Sequence, residues 1–206
     1  MGSATKCAAL WVVFLCLGGC GKDEAAWSSD PNDPNNVKIE AAIRRAIEKP
    51  TGELTKEDLV KVVELNLSDN QIDDVSTLKK LKQLKELSLS GNQLSDVSAL
   101  KELKQLKELS LSGNQISDLS ALKELQQLTF LSLDFNKLSD VSPLNRLSQL
   151  TVIGLSDNQV KDVSAFKELK QLKQLYLYNN PSLTKAQIDQ LQKALPKCKI
   201  YSNPKK

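Results

Sequence analysis

An asparagine returns every 22 residues through the centre of this chain, at Asn70, Asn92, Asn114, Asn136, Asn158 and Asn180. The same frame surrounds each one. One copy reads Leu87-Ser-Leu89-Ser-Gly-Asn92-Gln-Leu94-Ser-Asp-Val97-Ser-Ala-Leu100-Lys-Glu-Leu103-Lys-Gln-Leu106. Leucine fills one column at 65, 87, 109, 131 and 175, with Ile153 in the remaining slot. Leu67, Leu89, Leu111, Leu133, Leu155 and Leu177 fill a second column. Leu-x-Leu alternation predicts a short strand with both leucines on one face. The later Leu-x-x-Leu-x-x-Leu run has period three, which suits a 3-10 or short helical turn. One such coil cannot bury its own apolar face, so the coils must stack on one another around a continuous core. At about 4.8 Å per strand, six coils give a parallel sheet roughly 29 Å long. The asparagine column is expected to bond backbone groups where each strand turns. Asp-x-Ser, as in Asp96-Val-Ser98, is expected to cap the following turn.

A fixed period with this Leu and Asn pattern resembles the leucine-rich repeat, specifically the 22-residue class of bacterial internalins and of a eukaryotic phosphatase-regulator family. The resemblance covers about residues 59–183. It implies a curved α/β solenoid with a concave parallel sheet, a 3-10 or short helical convex side, and protein binding on the concave face.

Both ends of the repeat block carry cap signals. Residues 37–48 space Ile39, Ala42, Ile43, Ala46 and Ile47 as one face of an amphipathic helix. Thr55-Lys-Glu-Asp58 is a capping box flanked by Leu54 and Leu59 as a hydrophobic staple, and Thr184-Lys-Ala-Gln187 with Leu183 and Ile188 is a second. A helix up to Leu195 and a last strand over Cys198-Lys-Ile200-Tyr are expected after it, with Cys198 buried as a small hydrophobe. Five segments result: residues 1–19, Cys20 with a linker to 36, an N-terminal helical cap at 37–62, repeats at 63–183, and a helix-strand cap at 184–206.

The first segment has one cation, Lys6, before an apolar run from Cys7 to Leu17. That is a signal peptide, too short for a membrane-spanning helix. Leu17-Gly-Gly-Cys20 resembles the lipobox of bacterial lipoproteins. The resemblance implies cleavage before Cys20 and a lipid on its sulfur. It places the domain in the bacterial cell envelope, facing the periplasm or the exterior, with the outer membrane favoured because Gly21 stands where a retention-type Asp would. Residues 21–36 are polar with prolines and no apolar period, so they read as a solvated tether. Trp27 stands alone there and has two candidate contacts, the membrane interface or the end of the domain.

Composition narrows the function. The chain has no histidine, which removes Ser-His-Asp and Cys-His catalysis and imidazole metal sites. No glycine pattern forms a phosphate cradle. Basic and acidic residues number 28 and 25, so no bulk charge favours nucleic acid. No cofactor and no catalytic residue are expected, and the chain reads as a monomeric binding module. The alternative is a structural envelope component with no high-affinity partner.

On a solenoid, sites sit where a column departs from the repeat. The outward strand positions begin Glu64, Glu86 and Glu108, an acidic ladder that reads either as a patch for a basic partner or a cation or, the favoured reading, as repeated charge relieved by neighbours such as Lys61, Lys85 and Lys107. Further along stand Phe130, Phe135, Tyr176 and Tyr178, four of the few aromatics outside the leucine columns. Gly154 lies between the two aromatic pairs, where it leaves room for a partner's side chain. These eight residues form the expected protein-binding surface, the alternative for the four aromatics being that they pack on each other or under the C-terminal cap. Lysines interleaved with glutamates on the helical side are expected to form a solvated convex face.

Overall fold

A computed structural model describes Trp27 and residues 30–203. The expected signal peptide, Cys20 and half of the tether lie outside these described residues.

The repeat frame folds as its spacing dictates. Seven short strands form one parallel sheet in sequential order: β1 (Glu64–Asn66), β2 (Glu86–Ser88), β3 (Glu108–Ser110), β4 (Phe130–Ser132), β5 (Val152–Gly154), β6 (Gln174–Tyr176) and β7 (Lys199–Tyr201). Pairing is in register, so each leucine column stacks on itself: Leu65 faces Leu87, which faces Leu109. The convex side carries 3-10 turns at Ser76–Lys80, Ser98–Glu102, Leu122–Glu124, Ser142–Arg146 and Ser164–Glu168. Between the two layers every leucine column is buried, and Phe166 fills the Leu78-Leu100-Leu122-Leu144 column. Each buried leucine contributes about 1.5–3 kcal/mol. Each 3-10 turn is held by an aspartate just ahead of it. Asp96 Oδ1 accepts the Ser98 amide at 2.7 Å and its Oδ2 accepts the Ser98 hydroxyl at 3.0 Å. The same pair recurs at Asp74 and Ser76, Asp140 and Ser142, and Asp162 and Ser164.

Five of the asparagines lock neighbouring coils together. The Asn114 amide nitrogen donates to Leu89 O at 2.9 Å on the preceding coil and to Leu111 O at 3.0 Å on its own. Its oxygen accepts the Leu94 amide at 3.0 Å. Asn92, Asn136, Asn158 and Asn180 repeat this arrangement, and all five are buried. Asn70 does not. It lies on the first coil, has no coil before it to bridge, stays half-buried, and donates to Ser68 O of its own coil.

The N-terminal cap is larger than its apolar spacing indicates. Helix α1 spans Pro34–Ala46, starting three residues early, because Asp33 accepts the amides of Asn35 and Asn36 and Pro34 occupies the first turn. The Asp-Pro-Asn run expected to be a spacer is therefore a helix start. Asn35 also exchanges two hydrogen bonds with Asp73 of the first coil. Trp27 folds back onto the domain, 5% exposed, with Lys80 Nζ 5.5 Å from its ring centre. Of its two candidate contacts, the end of the domain is the one observed. Helix α2 (Lys56–Leu59) carries the expected capping box between Thr55 and Asp58. Lys49 and Lys61 pair with Asp58, and the Lys49 ammonium holds its carboxyl well below the usual range.

At the other end α3 (Lys185–Ala194) starts with the Thr184 and Gln187 capping box and stops with Leu195 as its cap residue. β7 then pairs with β6. Cys198 is buried, and that burial pushes its thiol up to about 11. No helix among the described residues is long and apolar enough to cross a membrane.

The concave face as candidate functional site

In-register pairing turns each outward strand position into a row running along the concave face. The first row reads Glu64, Glu86, Glu108, Phe130, Val152, Gln174 and Lys199. The second reads Asn66, Ser88, Ser110, Ser132, Gly154, Tyr176 and Tyr201. The face therefore changes from acidic to apolar along the solenoid axis.

Glu64, Glu86 and Glu108 are exposed and directly opposed across β1, β2 and β3. Like charges in such positions repel. Among the described residues no ion pair joins these glutamates to the lysines expected to relieve them: Lys61 pairs with Asp58, and neither Lys85 nor Lys107 is in an ion pair. Those two lysines sit just outside the strands, where their amides bond Val63 and Lys85 carbonyls of the preceding coils. The convex side behaves differently. Lys82 bonds Glu102 at 2.7 Å and Lys104 bonds Glu124 at 2.9 Å, each across neighbouring coils, and these contacts lower both glutamate pKa values. The ladder lines a shallow depression of about 320 Å³ whose far wall is Phe130. No three Asp, Glu or Cys side chains among the described residues are placed to hold a metal ion.

Beside the ladder, serine hydroxyls satisfy one another: Ser68 with Ser88 at 2.7 Å, Ser90 with Ser110 at 2.7 Å, and Ser112 with Ser132 at 2.6 Å. Asp134 interrupts this pattern. Its carboxylate accepts the Ser132 hydroxyl at 2.9 Å and the Ser156 amide at 2.7 Å. It also fills the space over Gly154, where an added Cβ would lie 2.4 Å from Asp134 Oδ2. Gly154 is thus no gap for a partner. It is glycine because Asp134 needs the room.

The four aromatics divide. Tyr176 is half-buried and stacks on Tyr201, with ring centres 4.8 Å apart and planes 8° apart, and its hydroxyl donates to Gln174 at 2.8 Å. It belongs to the packing of β7 onto β6, and Tyr201 is its unforeseen partner. Phe130 is half-buried between Glu108 and Val152. Tyr178 and Phe135 remain in water, 41% and 62% exposed.

Phe135 is also conformationally unusual. The residue before each column asparagine adopts positive φ: Asp69, Gly91, Gly113, Phe135, Asp157 and Asn179 lie between 54° and 66°. Five of these amides donate to the next coil, as Phe135 N does to Ser156 O at 2.9 Å, while Asn179 N donates to Asn203 Oδ1 at 2.7 Å; the positive φ then turns the chain so that the following asparagine enters the stack. Glycine, asparagine and aspartate tolerate that region, whereas a bulky side chain there costs about 1–2 kcal/mol. Phe135 alone in the column has neither a glycine's freedom nor a polar side chain that bonds locally. Its replacement of Asp, Gly or Asn is visible in the sequence, but the positive φ that makes it costly is not.

Over residues 60–102, 104–146 and 148–193 the chain matches the family described as Leucine Rich repeats (2 copies), and it belongs to that leucine-rich-repeat family. Repeats of this family generally act as protein–protein interaction modules. Within that class the solenoid is similar to Listeria monocytogenes internalins. One (inlF) is 22% identical with TM-score 0.67, covering 84% of this chain and 60% of that one. Internalin C2 is 27% identical with TM-score 0.56, covering 82% and 96%. A leucine-rich-repeat protein of Leptospira interrogans is 34% identical with TM-score 0.65, covering 69% of this chain and 38% of that one. The chain thus spans 60% of the inlF structure and 38% of the Leptospira one. No curated protein sequence matches it.

Proposed function

We propose that this chain is a lipid-anchored lipoprotein of the bacterial cell envelope, outer membrane favoured, whose solenoid binds a protein partner on its concave face. The anchoring part rests on the Leu17-Gly-Gly-Cys20 boundary after an eleven-residue apolar run. The binding part rests on one observation above all. Phe135 is 62% exposed at a positive-φ position that neighbouring coils give to Gly, Asp or Asn. A strained, solvated aromatic has no folding rationale, and such residues serve as interface anchors. Tyr178 and Phe130 extend the same surface.

Two experiments test the two parts. Cys20→Ser should abolish a lipid-sized mass increment and release the protein from membranes, and retention of both would overturn the anchor. A photoreactive side chain at position 135 in the native host should give one saturable adduct, while the same group at the convex Lys123 gives none. Equal labelling from both positions, or none at 135, would leave a structural envelope component as the better reading.

A further inference from the structure

We propose that the occupant of the concave face is a cationic protein segment, which sets basic side chains against Glu64, Glu86 and Glu108 and an apolar anchor against Phe130 and Phe135. This deepens the reading of that face as a binding surface and rests on it. The charge distribution selects the occupant. The convex side neutralises its glutamates with lysines from neighbouring coils, at 2.7 and 2.9 Å. Among the described residues the concave side leaves three opposed carboxylates without an ion pair, although lysines precede two of them in sequence. The repulsion is tolerated in the free protein and relieved by a positively charged partner, so complementarity favours that partner and rejects acidic ones. Nucleic acid and anionic lipid meet the same repulsion. A small polyamine would meet the carboxylates and leave Phe135 in water. From β1 to β4 the row spans about 14 Å, which a single peptide segment covers. Basic residues every fourth position on a helix recur at about 6 Å, near the strand spacing.

The test uses a labelled helical peptide with lysines at every fourth position and a tryptophan one turn beyond them. Two companions replace the lysines by glutamine or by glutamate. The full chain should bind the lysine peptide saturably, and the signal should weaken as salt rises. Substituting Glu64→Gln, Glu86→Gln and Glu108→Gln together should weaken binding about tenfold, since each exposed pair contributes modestly. These exposed substitutions remove repulsion, so folding is retained. Phe135→Asn should weaken the same peptide several-fold without removing its salt dependence. Equal binding of the glutamine or glutamate peptide, no binding of the lysine peptide, or no effect of the triple substitution would overturn the proposal. A concentration-dependent dimer abolished by Phe135→Asn would overturn it in favour of a second copy. The adduct at position 135 keeps the two readings apart. If it persists while the lysine peptide fails to compete, concave binding stands and the cationic partner falls.

Discussion

Replacing Phe135 by asparagine and, separately, by alanine isolates a backbone effect that most substitutions conceal. Both variants lose the ring, which is 62% exposed and so contributes only part of a buried phenylalanine's value, about 1 kcal/mol at most. Both keep the backbone held on either side, by the Phe135 amide on Ser156 O at 2.9 Å and by Asn136 on Leu111 O at 3.0 Å, so φ stays near 55°. Alanine meets that conformation with a Cβ and nothing to offset it. Asparagine, like Asn179 two coils on, tolerates it through local hydrogen bonding. The asparagine variant should therefore exceed the alanine variant by about 1 kcal/mol, and should match or slightly exceed the parent. For a domain of this size that difference is about 2–4 °C in Tm. Urea unfolding followed by circular dichroism, backed by thermal melts, measures it. Equal midpoints for the two variants would refute the claim that this position is strained. An asparagine variant well below the parent would make Phe135 a packing residue.

Three further outcomes are expected. Asn114→Ala removes the partners of two carbonyls and one amide inside the stack and should cost about 1–3 kcal/mol, whereas Asn70→Ala, with no coil to bridge, should cost clearly less; similar losses would show that the bridging does not matter. Asp58 has its folded pKa depressed, so its contribution is complete above the unfolded value of about 3.9 and is lost as pH falls below it; Asp58→Asn should be less stable at pH 7 and show a shallower fall in Tm below about pH 4. Cys198, buried with its thiol near 11, should resist maleimide at pH 8 until the domain unfolds, as peptide mapping by mass spectrometry would show.

The parts of the fold legible in the sequence are those governed by period and by local chemistry. Leucine spacing dictates which residues are buried, and Thr55 with Asp58 and Thr184 with Gln187 announce their helix starts because a capping box closes within four residues. What stayed hidden depends on contacts between coils or between distant segments. Whether Lys85 pairs with Glu86 is decided by which way the chain turns into the strand. That Asp134 covers Gly154 follows from residues 20 apart meeting across β4 and β5. The Tyr176 and Tyr201 stack exists only because β7 extends the sheet after an intervening helix. Trp27 is a lone aromatic in a polar stretch, and nothing local says which surface it covers. Of the eight residues the sequence marks, the fold takes Tyr176 and Gly154 into packing, leaves Phe130 half-buried, and leaves Phe135, Tyr178 and the three glutamates exposed.

The coil-to-coil hydrogen bonds of the asparagine ladder and of the sheet run along the solenoid axis, and this has a mechanical consequence. Tension applied between the two chain ends loads those bonds one coil after another, in series. Each coil touches only its neighbours, so it can detach without disturbing the rest. Every detachment frees 22 residues, about 70–80 Å of extended chain, in place of one strand spacing. A single molecule held at both ends should therefore lengthen in nearly equal low-force steps, behaving as a ratcheted spring whose click size is the repeat length.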